Sequence, residues 1–219
     1  MIAAIRSLPS WLETALVIVG AFGVFIFSAL AYAPTTVVYA ADDFRYLAQF
    51  EIVIGTILLA FLFARGWKIE ELGFQRPEAR DVLDAVVLTI AILLVPYLLW
   101  SVFGDPAAER AIVVNAPGVP LGTALAFSLI NAGYEEIFVC AYLVSATRKI
   151  GLAPAILLST AVRLSYHLYQ GPLALITILP MGLIFAWYFA SRGKIWPLIF
   201  IHFILDMLAL APYIRGEGR

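Results

Sequence analysis

The sequence has 219 residues, of which 63% are hydrophobic and only 13% are charged. Because a water-soluble domain of this size carries about a quarter charged residues, the composition excludes an ordinary soluble protein and indicates an integral membrane protein. The formal net charge of −1 offers no basic surface for nucleic acid. The single cysteine, Cys140, excludes an intramolecular disulfide and a cysteine-rich metal site.

The apolar residues form long continuous runs rather than alternating, which favours transmembrane helices over a transmembrane barrel. Since a span needs about 20 apolar residues, the chain predicts an all-α polytopic bundle with about seven spans. We expect residues 1–219 to form a single integral-membrane domain. The predicted spans are residues 12–33, 46–64, 82–103, 121–146, 152–169, 173–190 and 195–211.

The segments between these spans predict loops and an orientation. Residues 65–81 and 104–120 are hydrophilic or rich in Pro and Gly, so both are predicted to be loops in water. Basic residues are more numerous in the loops on the side of the amino terminus, which predicts a multi-pass protein of the cell membrane with a cytoplasmic amino terminus. Glu51, near one end of the second span, is interpreted as an interface residue. Ala132 and Gly133 are predicted to allow close helix packing.

The most informative stretch lies in the fourth predicted span, where Glu135 and Glu136 interrupt a long apolar run. A charged side chain at the centre of a bilayer costs about 2.5–3.5 kcal/mol on insertion scales. Two adjacent carboxylates therefore need buried partners or a wet cavity.

Candidate partners occur on this span and on the later ones. Residues four positions apart share one face of a helix, and three predicted helices each carry such a polar pair. In lipid, the least costly arrangement turns all three pairs inward, toward one another. The pairs are Asn131 with Glu135, Arg163 with His167, and His202 with Asp206.

This cluster has the parts for hydrolysis of a peptide bond. A glutamate beside an imidazole can deprotonate a water, and a second imidazole with an acid or amide can stabilise the oxyanion. Zinc is a chemical alternative, because Glu135, His167 and His202 could bind it and leave a position for water. The sequence contains no His-Glu-x-x-His signature, however, so we expect no cofactor.

The order of these motifs resembles the CAAX-protease and bacteriocin-processing family, also called the Abi family of intramembrane proteases. That family has a Glu-Glu-x-x-x-Arg motif, then a Phe-x-x-x-His motif, then a His-x-x-x-Asn/Asp motif on successive helices. Glu135 and Glu136 match the first motif, His167 the second, and His202 with Asp206 the third. The resemblance covers about residues 121–208.

The resemblance implies an intramembrane endopeptidase of glutamate type, with a catalytic core at about residues 121–211 and no metal. Glu135 would activate water with help from His167, and His202 and Asp206 would line the oxyanion site. Glu136 would be structural and hold an arginine. The implied partner is a peptide or protein substrate in or beside the lipid bilayer, for example a prenylated carboxyl-terminal peptide or a bacteriocin-type leader peptide.

Two positions depart from the family pattern. The arginine of the first motif falls on Cys140, and the phenylalanine of the second motif falls on Arg163. We hypothesise a compensated exchange, in which Arg163 supplies the guanidinium that Glu136 needs. A non-catalytic function stays open beside the enzyme: a membrane immunity or partner protein, or a proton-linked carrier that uses the same buried acids.

Overall fold

The computed structural model describes residues 8–32, 40–104 and 118–214, and the regular structure in these ranges is helical. Six helices in this part of the chain are long and apolar enough to cross a membrane. The predicted all-α transmembrane bundle is therefore confirmed. The first three helices are α1 (Ser10–Tyr32), α2 (Ala41–Arg65) and α3 (Ala79–Phe103). Most of the loop predicted at 104–120 lies outside the described residues.

The fourth span is a composite of helical types. It starts as α4 (Leu121–Glu135), continues as a π-helix (Glu136–Tyr142), and ends in α5 (Leu143–Thr147) followed by a 3₁₀ turn (Arg148–Ile150). The π-helix begins at the second of the two glutamates. Because π-helical turns are frequent at functional sites, this placement singles out the same region as the sequence does.

The fifth predicted span is shorter than expected. Its helix, α6 (Leu152–Tyr166), has 15 residues, which corresponds to about 22 Å and falls short of the roughly 30 Å of a hydrocarbon core. A 3₁₀ turn (Leu168–Gln170) follows it. The chain then continues through the remaining helices, which are α7 (Leu173–Ile176), α8 (Ile178–Arg192) and α9 (Trp196–Ile214).

The long helices pack in a closed order around the bundle. Each helix contacts the next in the sequence α3, α9, α4, α2, α1, α6, α8 and back to α3. The π-helix lies inside this arrangement, where it contacts α1, α4, α6 and α8. Six of its seven residues are buried, Glu136 among them. The two glutamates therefore reach the centre of the bundle from the junction between α4 and the π-helix.

The outward faces of the first three helices are apolar. Phe27 on α1 and Val82, Val102 and Phe103 on α3 are all exposed large hydrophobic residues. Helices with such outer faces are stable in lipid rather than in water, which agrees with an integral membrane protein. The cytoplasmic placement of the amino terminus stays a prediction.

The segment predicted as a loop in water at 65–81 is partly docked on the bundle. It contains a 3₁₀ turn (Ile69–Leu72), and Leu72 is fully buried. Gly73 has a φ of 81°, and its carbonyl oxygen accepts a hydrogen bond of 3.2 Å from the Ile195 backbone N–H. A Cβ at this position would lie 2.7 Å from the Phe189 ring, so the glycine permits the docking. The hydrophilic composition of residues 65–81 gave no indication of this contact with the bundle.

A charged cluster fixes the same end of the bundle. Lys194, in the connection between α8 and α9, lies 3.0 Å from Asp81 Oδ1 and 3.1 Å from Glu78 Oε1. Burial works against the ammonium group, but the hydrogen bonds and charges of Asp81 and Glu78 outweigh it and hold the pKa of Lys194 above its usual value. This cluster ties the start of α3 to α8 and α9.

The second span begins earlier than the sequence predicted. Asp42, Asp43 and Arg45, which precede the predicted span at 46–64, lie in the first turns of α2. The Asp43 carboxylate accepts a hydrogen bond of 2.6 Å from the Ala40 backbone N–H, which satisfies a free donor at the helix start. The earlier start moves Glu51 from the end of a span into the third turn of a helix.

Close packing between α6 and α8 depends on Gly182, whereas Gly133 on α4, which was predicted to allow close helix packing, has open space beside it. A Cβ at Gly182 would lie 3.0 Å from Thr160 Cγ2 and 3.3 Å from its Cα, whereas a Cβ at Gly133 would meet no described atom within 4 Å. We therefore expect Gly182→Ala to destabilise the bundle by about 1–3 kcal/mol through overpacking. Gly133→Ala is the matched control and should be neutral or slightly stabilising. Thermal unfolding in detergent measures both, and equal melting temperatures would contradict the packing argument.

Candidate active site

Glu135 and Glu136 meet a single guanidinium at the centre of the bundle. Both glutamates are buried, with 7% and 0% of their surface exposed. Arg163, on α6, donates from Nη1 to Glu135 Oε2 at 3.1 Å and from Nη2 to both Glu136 oxygens at 2.8 Å. Adjacent helical residues point about 100° apart, so one planar guanidinium with several donors is suited to bridge them. The partner that the sequence assigned to Glu136 is the one the structure places there.

Arg163 itself is 1% exposed and is among the largest fully buried side chains described. Its guanidinium carbon lies 5.7 Å from the centre of the Phe185 ring on α8, a cation–π distance. A buried cation of this kind is stable only with paired anions, and the two glutamates supply them. Arg163 thus joins α4, the π-helix, α6 and α8 through one side chain.

Glu135 has one engaged oxygen and one nearly free oxygen. Its Oε2 accepts hydrogen bonds from Arg163 Nη1 and from the Tyr166 hydroxyl, the latter at 2.6 Å. Among the described residues, its Oε1 has only a long contact of 3.5 Å with Asn131 Nδ2. The engaged oxygen fixes the carboxylate, and the other keeps lone pairs available for a further donor.

Tyr166 is a site residue that the sequence did not reveal. The sequence analysis assigned Tyr166 no role in the cluster. Its ring is instead buried and stacked on Phe22 of α1, at 4.8 Å between centroids. The available signal was its spacing of three residues from Arg163, which places both on one helix face.

His202 lies between two acids. Its Nδ1 is 2.6 Å from Glu136 Oε1, and its Nε2 is 3.6 Å from Asp206 Oδ1 one turn later on α9. Since both Glu136 oxygens accept from the guanidinium, this carboxylate acts as an acceptor and Nδ1 carries a hydrogen. The longer gap at Nε2 exceeds a hydrogen bond, so another atom can bridge it. The predicted pairing of His202 with Asp206 on one helix face is present.

His167 is close to the cluster without joining the glutamates directly. It follows the end of α6, and its Nδ1 donates to the Arg163 carbonyl oxygen at 2.9 Å. Its ring packs on Tyr166 at 4.6 Å. Among the described residues, no direct hydrogen bond links His167 with Glu135 or Glu136. Because Nδ1 is a donor here, the neutral ring keeps an acceptor lone pair on Nε2.

Glu51 is the second residue that the sequence analysis misjudged. It is 4% exposed and accepts a hydrogen bond of 2.9 Å from Asn131 Nδ2. The same Asn131 nitrogen makes the long contact with Glu135 Oε1. Glu51 falls on the buried face of α2 with Ala48, Gly55 and Leu58, a helical spacing that the sequence did offer as a signal.

The donor set of a metal ion differs from the one predicted. Glu135, Glu136 and His202 offer ligand atoms within 4.8 Å of one another, so Glu136 replaces His167 in the candidate set. The Arg163 guanidinium already hydrogen-bonds to both carboxylates of this group. A dication would have to displace or face that fixed positive charge, which makes the group a poor metal site.

Residues 117–208 match the Rce1-like family, described as type II CAAX prenyl endopeptidase Rce1-like. This segment of the chain is therefore similar to a family of CAAX prenyl endopeptidases. No curated protein and no solved structure matched the chain. The resemblance drawn from the motifs is confirmed, and the family is one of proteases.

The Rce1-like region extends from just before α4 into α9. It contains all seven residues that the sequence singled out and excludes α1, α2 and α3. Glu51 therefore comes to the cluster from outside the Rce1-like region. The residues inside it are Asn131, Glu135, Glu136, Arg163, His167, His202 and Asp206.

Proposed function

We propose that this protein is an intramembrane endopeptidase of glutamate type, which hydrolyses one amide bond of a peptide or protein segment in or beside the bilayer. The observation that carries the proposal is the asymmetry of Glu135. One of its oxygens is held by Arg163 and Tyr166, and the other has, within the part of the chain that the structure describes, only a contact of 3.5 Å with Asn131. A carboxylate fixed on one side and available on the other suits a general base.

In the proposed first step, a water lies between Glu135 and His167. It donates one hydrogen to Glu135 Oε1 and the other to His167 Nε2, which the bond from Nδ1 to the Arg163 carbonyl leaves as an acceptor. Glu135 takes a proton as the water oxygen attacks the substrate carbonyl carbon. Through this water, Glu135 and His167 can both take part in the proton transfer although no described hydrogen bond joins them directly.

In the proposed second step, His202 and Asp206 face the oxygen that becomes negative. A carboxylate repels an oxyanion, so Asp206 serves there only with a hydrogen on it or on the Nε2 that it faces. Nε2 and Oδ1 lie 3.6 Å apart without a direct hydrogen bond, so an oxygen beside the pair can take that hydrogen. The proton on Glu135 then passes to the amide nitrogen, and the C–N bond breaks. Glu136 has no reacting role and holds Arg163 and His202.

The direct test is cleavage of a membrane peptide by the purified protein in lipid vesicles. A fluorogenic peptide with a prenylated CAAX-type carboxyl terminus is the probe, and the same peptide without the prenyl group is its control. We expect cleavage of the prenylated peptide at one bond. Absence of cleavage, in protein that unfolds cooperatively on heating, would contradict the enzyme function.

Removal of metal ions should have little effect on this activity. Arg163 already pairs with both carboxylates of the only candidate metal group in the described residues, so a dication would have to displace or face that fixed cation. We expect the cleavage rate to stay within about twofold after treatment with a zinc chelator. A loss that added zinc restores would contradict the glutamate mechanism and favour a zinc enzyme.

A non-catalytic function is the second candidate, and one observation favours it. The guanidinium of Arg163 contacts both glutamates, as it would at a purely structural junction between helices. An immunity or partner protein would then need the fold of this cluster but not the free oxygen of Glu135. The Glu135 variant described in the Discussion separates the two functions.

A further inference from the structure

A polar layer lies beside the glutamate cluster, where α2, α4 and α9 pack together. At one end of this seam, Phe44 of α2, Ala124 of α4 and Leu210 of α9 form a buried apolar cluster. Toward the bundle centre, Gly55 of α2 lies beside Tyr134 of α4. The positions between these two levels therefore face the seam on all three helices.

Three polar side chains occupy those positions. Ser128 lies four residues after Ala124, and Asp206 lies four residues before Leu210, so each is one helical turn inward from the apolar cluster on the same face. Glu51 reaches this level through its hydrogen bond with Asn131, and it lies within electrostatic range of Asp206. We name Glu51, Ser128 and Asp206 the polar layer.

Each residue of the polar layer has a buried atom with no hydrogen-bond partner among the described residues. These atoms are Glu51 Oε2, Ser128 Oγ and Asp206 Oδ2. Ser128 is 0% exposed, so water outside the bundle cannot serve it. An unpaired buried polar atom costs free energy, and three on one seam indicate that the layer receives a ligand rich in hydrogen-bond donors.

The layer is next to the bond that the proposed enzyme cleaves. Asn131 Nδ2 contacts both Glu51 Oε1 and Glu135 Oε1, so these two carboxylate oxygens share one nitrogen as neighbour. Asp206 also borders both the layer and the predicted oxyanion site, because its Oδ1 faces His202 while its Oδ2 is the unpaired atom. A group leaving the reacting carbon on this side enters the polar layer.

We infer that the polar layer of Glu51, Ser128 and Asp206 is the subsite for the ammonium group of the amine product. The inference rests on the proposed function. Hydrolysis adds one water across the amide, RCO–NHR′ + H₂O → RCOO⁻ + R′NH₃⁺, so the amide nitrogen leaves with three hydrogens. An ammonium group has three donors and no acceptor, and the layer offers three unpaired acceptor atoms, two of them on acids.

The test compares two forms of one product peptide. The probe is a tripeptide of two aliphatic residues and a serine, which corresponds to the aaX part of a CAAX-type terminus, with either a free or an acetylated amino group. Acetylation removes the charge and two donors without changing the rest of the peptide. We expect the free amine to bind the purified protein about tenfold or more tightly, as measured by calorimetry and by inhibition of cleavage.

Two variants connect this preference to the polar layer. In Glu51→Gln an amide group that can donate replaces the unpaired acceptor, while an oxygen can still accept from Asn131, so we expect the preference for the free amine to fall to about one. Ser128→Ala removes one acceptor and should reduce the preference severalfold. Glu70→Gln and Ser191→Ala change the same residue types at exposed positions and should leave it unchanged.

The outcomes separate this subsite from the proposed function. Cleavage by the wild-type protein with equal affinity for the two tripeptides overturns the subsite and leaves the endopeptidase intact. A preference for the free amine that survives in Glu51→Gln also overturns it. No cleavage of the prenylated peptide by folded protein overturns the proposed function, and the subsite is then rejected with it.

Discussion

Cleavage by the Glu135→Gln variant is expected to be about 10²–10⁴-fold slower than cleavage by the wild type, with the fold retained. Glutamine keeps the size of the side chain and an oxygen that can accept from Arg163 and Tyr166, so the contacts at Oε2 have a substitute. It lacks the basic carboxylate that would take a proton from water. The measurement is the rate of peptide cleavage in vesicles, together with thermal unfolding of the same preparation.

Glu136→Gln is the matched comparison, because this neighbour has a different environment. Both Glu136 oxygens accept from the guanidinium, and Oε1 also contacts His202 Nδ1. We therefore expect Glu136→Gln to lower the melting temperature more than Glu135→Gln does. If Glu135→Gln keeps more than about a tenth of the wild-type rate, Glu135 is not the base, and the non-catalytic function gains support.

Arg163→Leu is expected to lower the free energy of unfolding by about 3–5 kcal/mol, because it leaves two buried carboxylates without their cation. The replacement has a similar apolar volume near Phe185, so lost charge rather than lost packing dominates the effect. Cleavage should fall along with stability, since Glu135 loses a donor that fixes it. Arg192→Leu, on the partly exposed end of α8, removes a cation elsewhere and should change stability by about 1 kcal/mol or less.

Substitution of Cys140 tests the exchange hypothesis directly. This residue is fully buried, at the position where the family motif has its arginine. Cys140→Arg alone should destabilise the protein, because Arg163 already fills the cationic position. In the Arg163→Leu background the same change should instead restore part of the lost stability. The two substitutions together should therefore cost about 1–3 kcal/mol less than the sum of their separate effects.

A double-mutant cycle by thermal or denaturant unfolding measures that coupling. Additive losses from the two substitutions would show that an arginine at position 140 cannot reach the glutamates, and the exchange hypothesis would be wrong. Full stability of Arg163→Leu alone would contradict the ion-pair argument as well.

The sequence was sufficient to predict the polar pairs because their spacing and their surroundings are both informative. Asn131 with Glu135 and His202 with Asp206 lie four residues apart in apolar helices, and lipid penalises any outward orientation of such groups. The contact of Arg163 with Glu136 was expected from the family resemblance, through the hypothesis of a compensated exchange between positions 140 and 163. These residues form the cluster that the structure describes.

Two features depend on information that the sequence pattern does not contain. The π-helix at Glu136–Tyr142 has the composition of an ordinary apolar helix, so its local sequence does not predict a π-helix. The docking of Leu72 required the partner surface around Ile195, more than 100 residues away.

The closed order of the helices has a consequence for attempts to dissect the protein. The segment that matches the Rce1-like family begins at residue 117. The helices before it belong to the same bundle, because α1 lies between α2 and α6, and α3 lies between α8 and α9. Tyr134 donates to the Ala21 carbonyl, and Tyr142 donates to Glu13, so side-chain hydrogen bonds also join the two halves of the chain. A truncated polypeptide starting at residue 117 should therefore misassemble on its own. Co-expression with a second polypeptide ending at residue 104 should restore assembly, because helices from the two polypeptides are neighbours around one bundle.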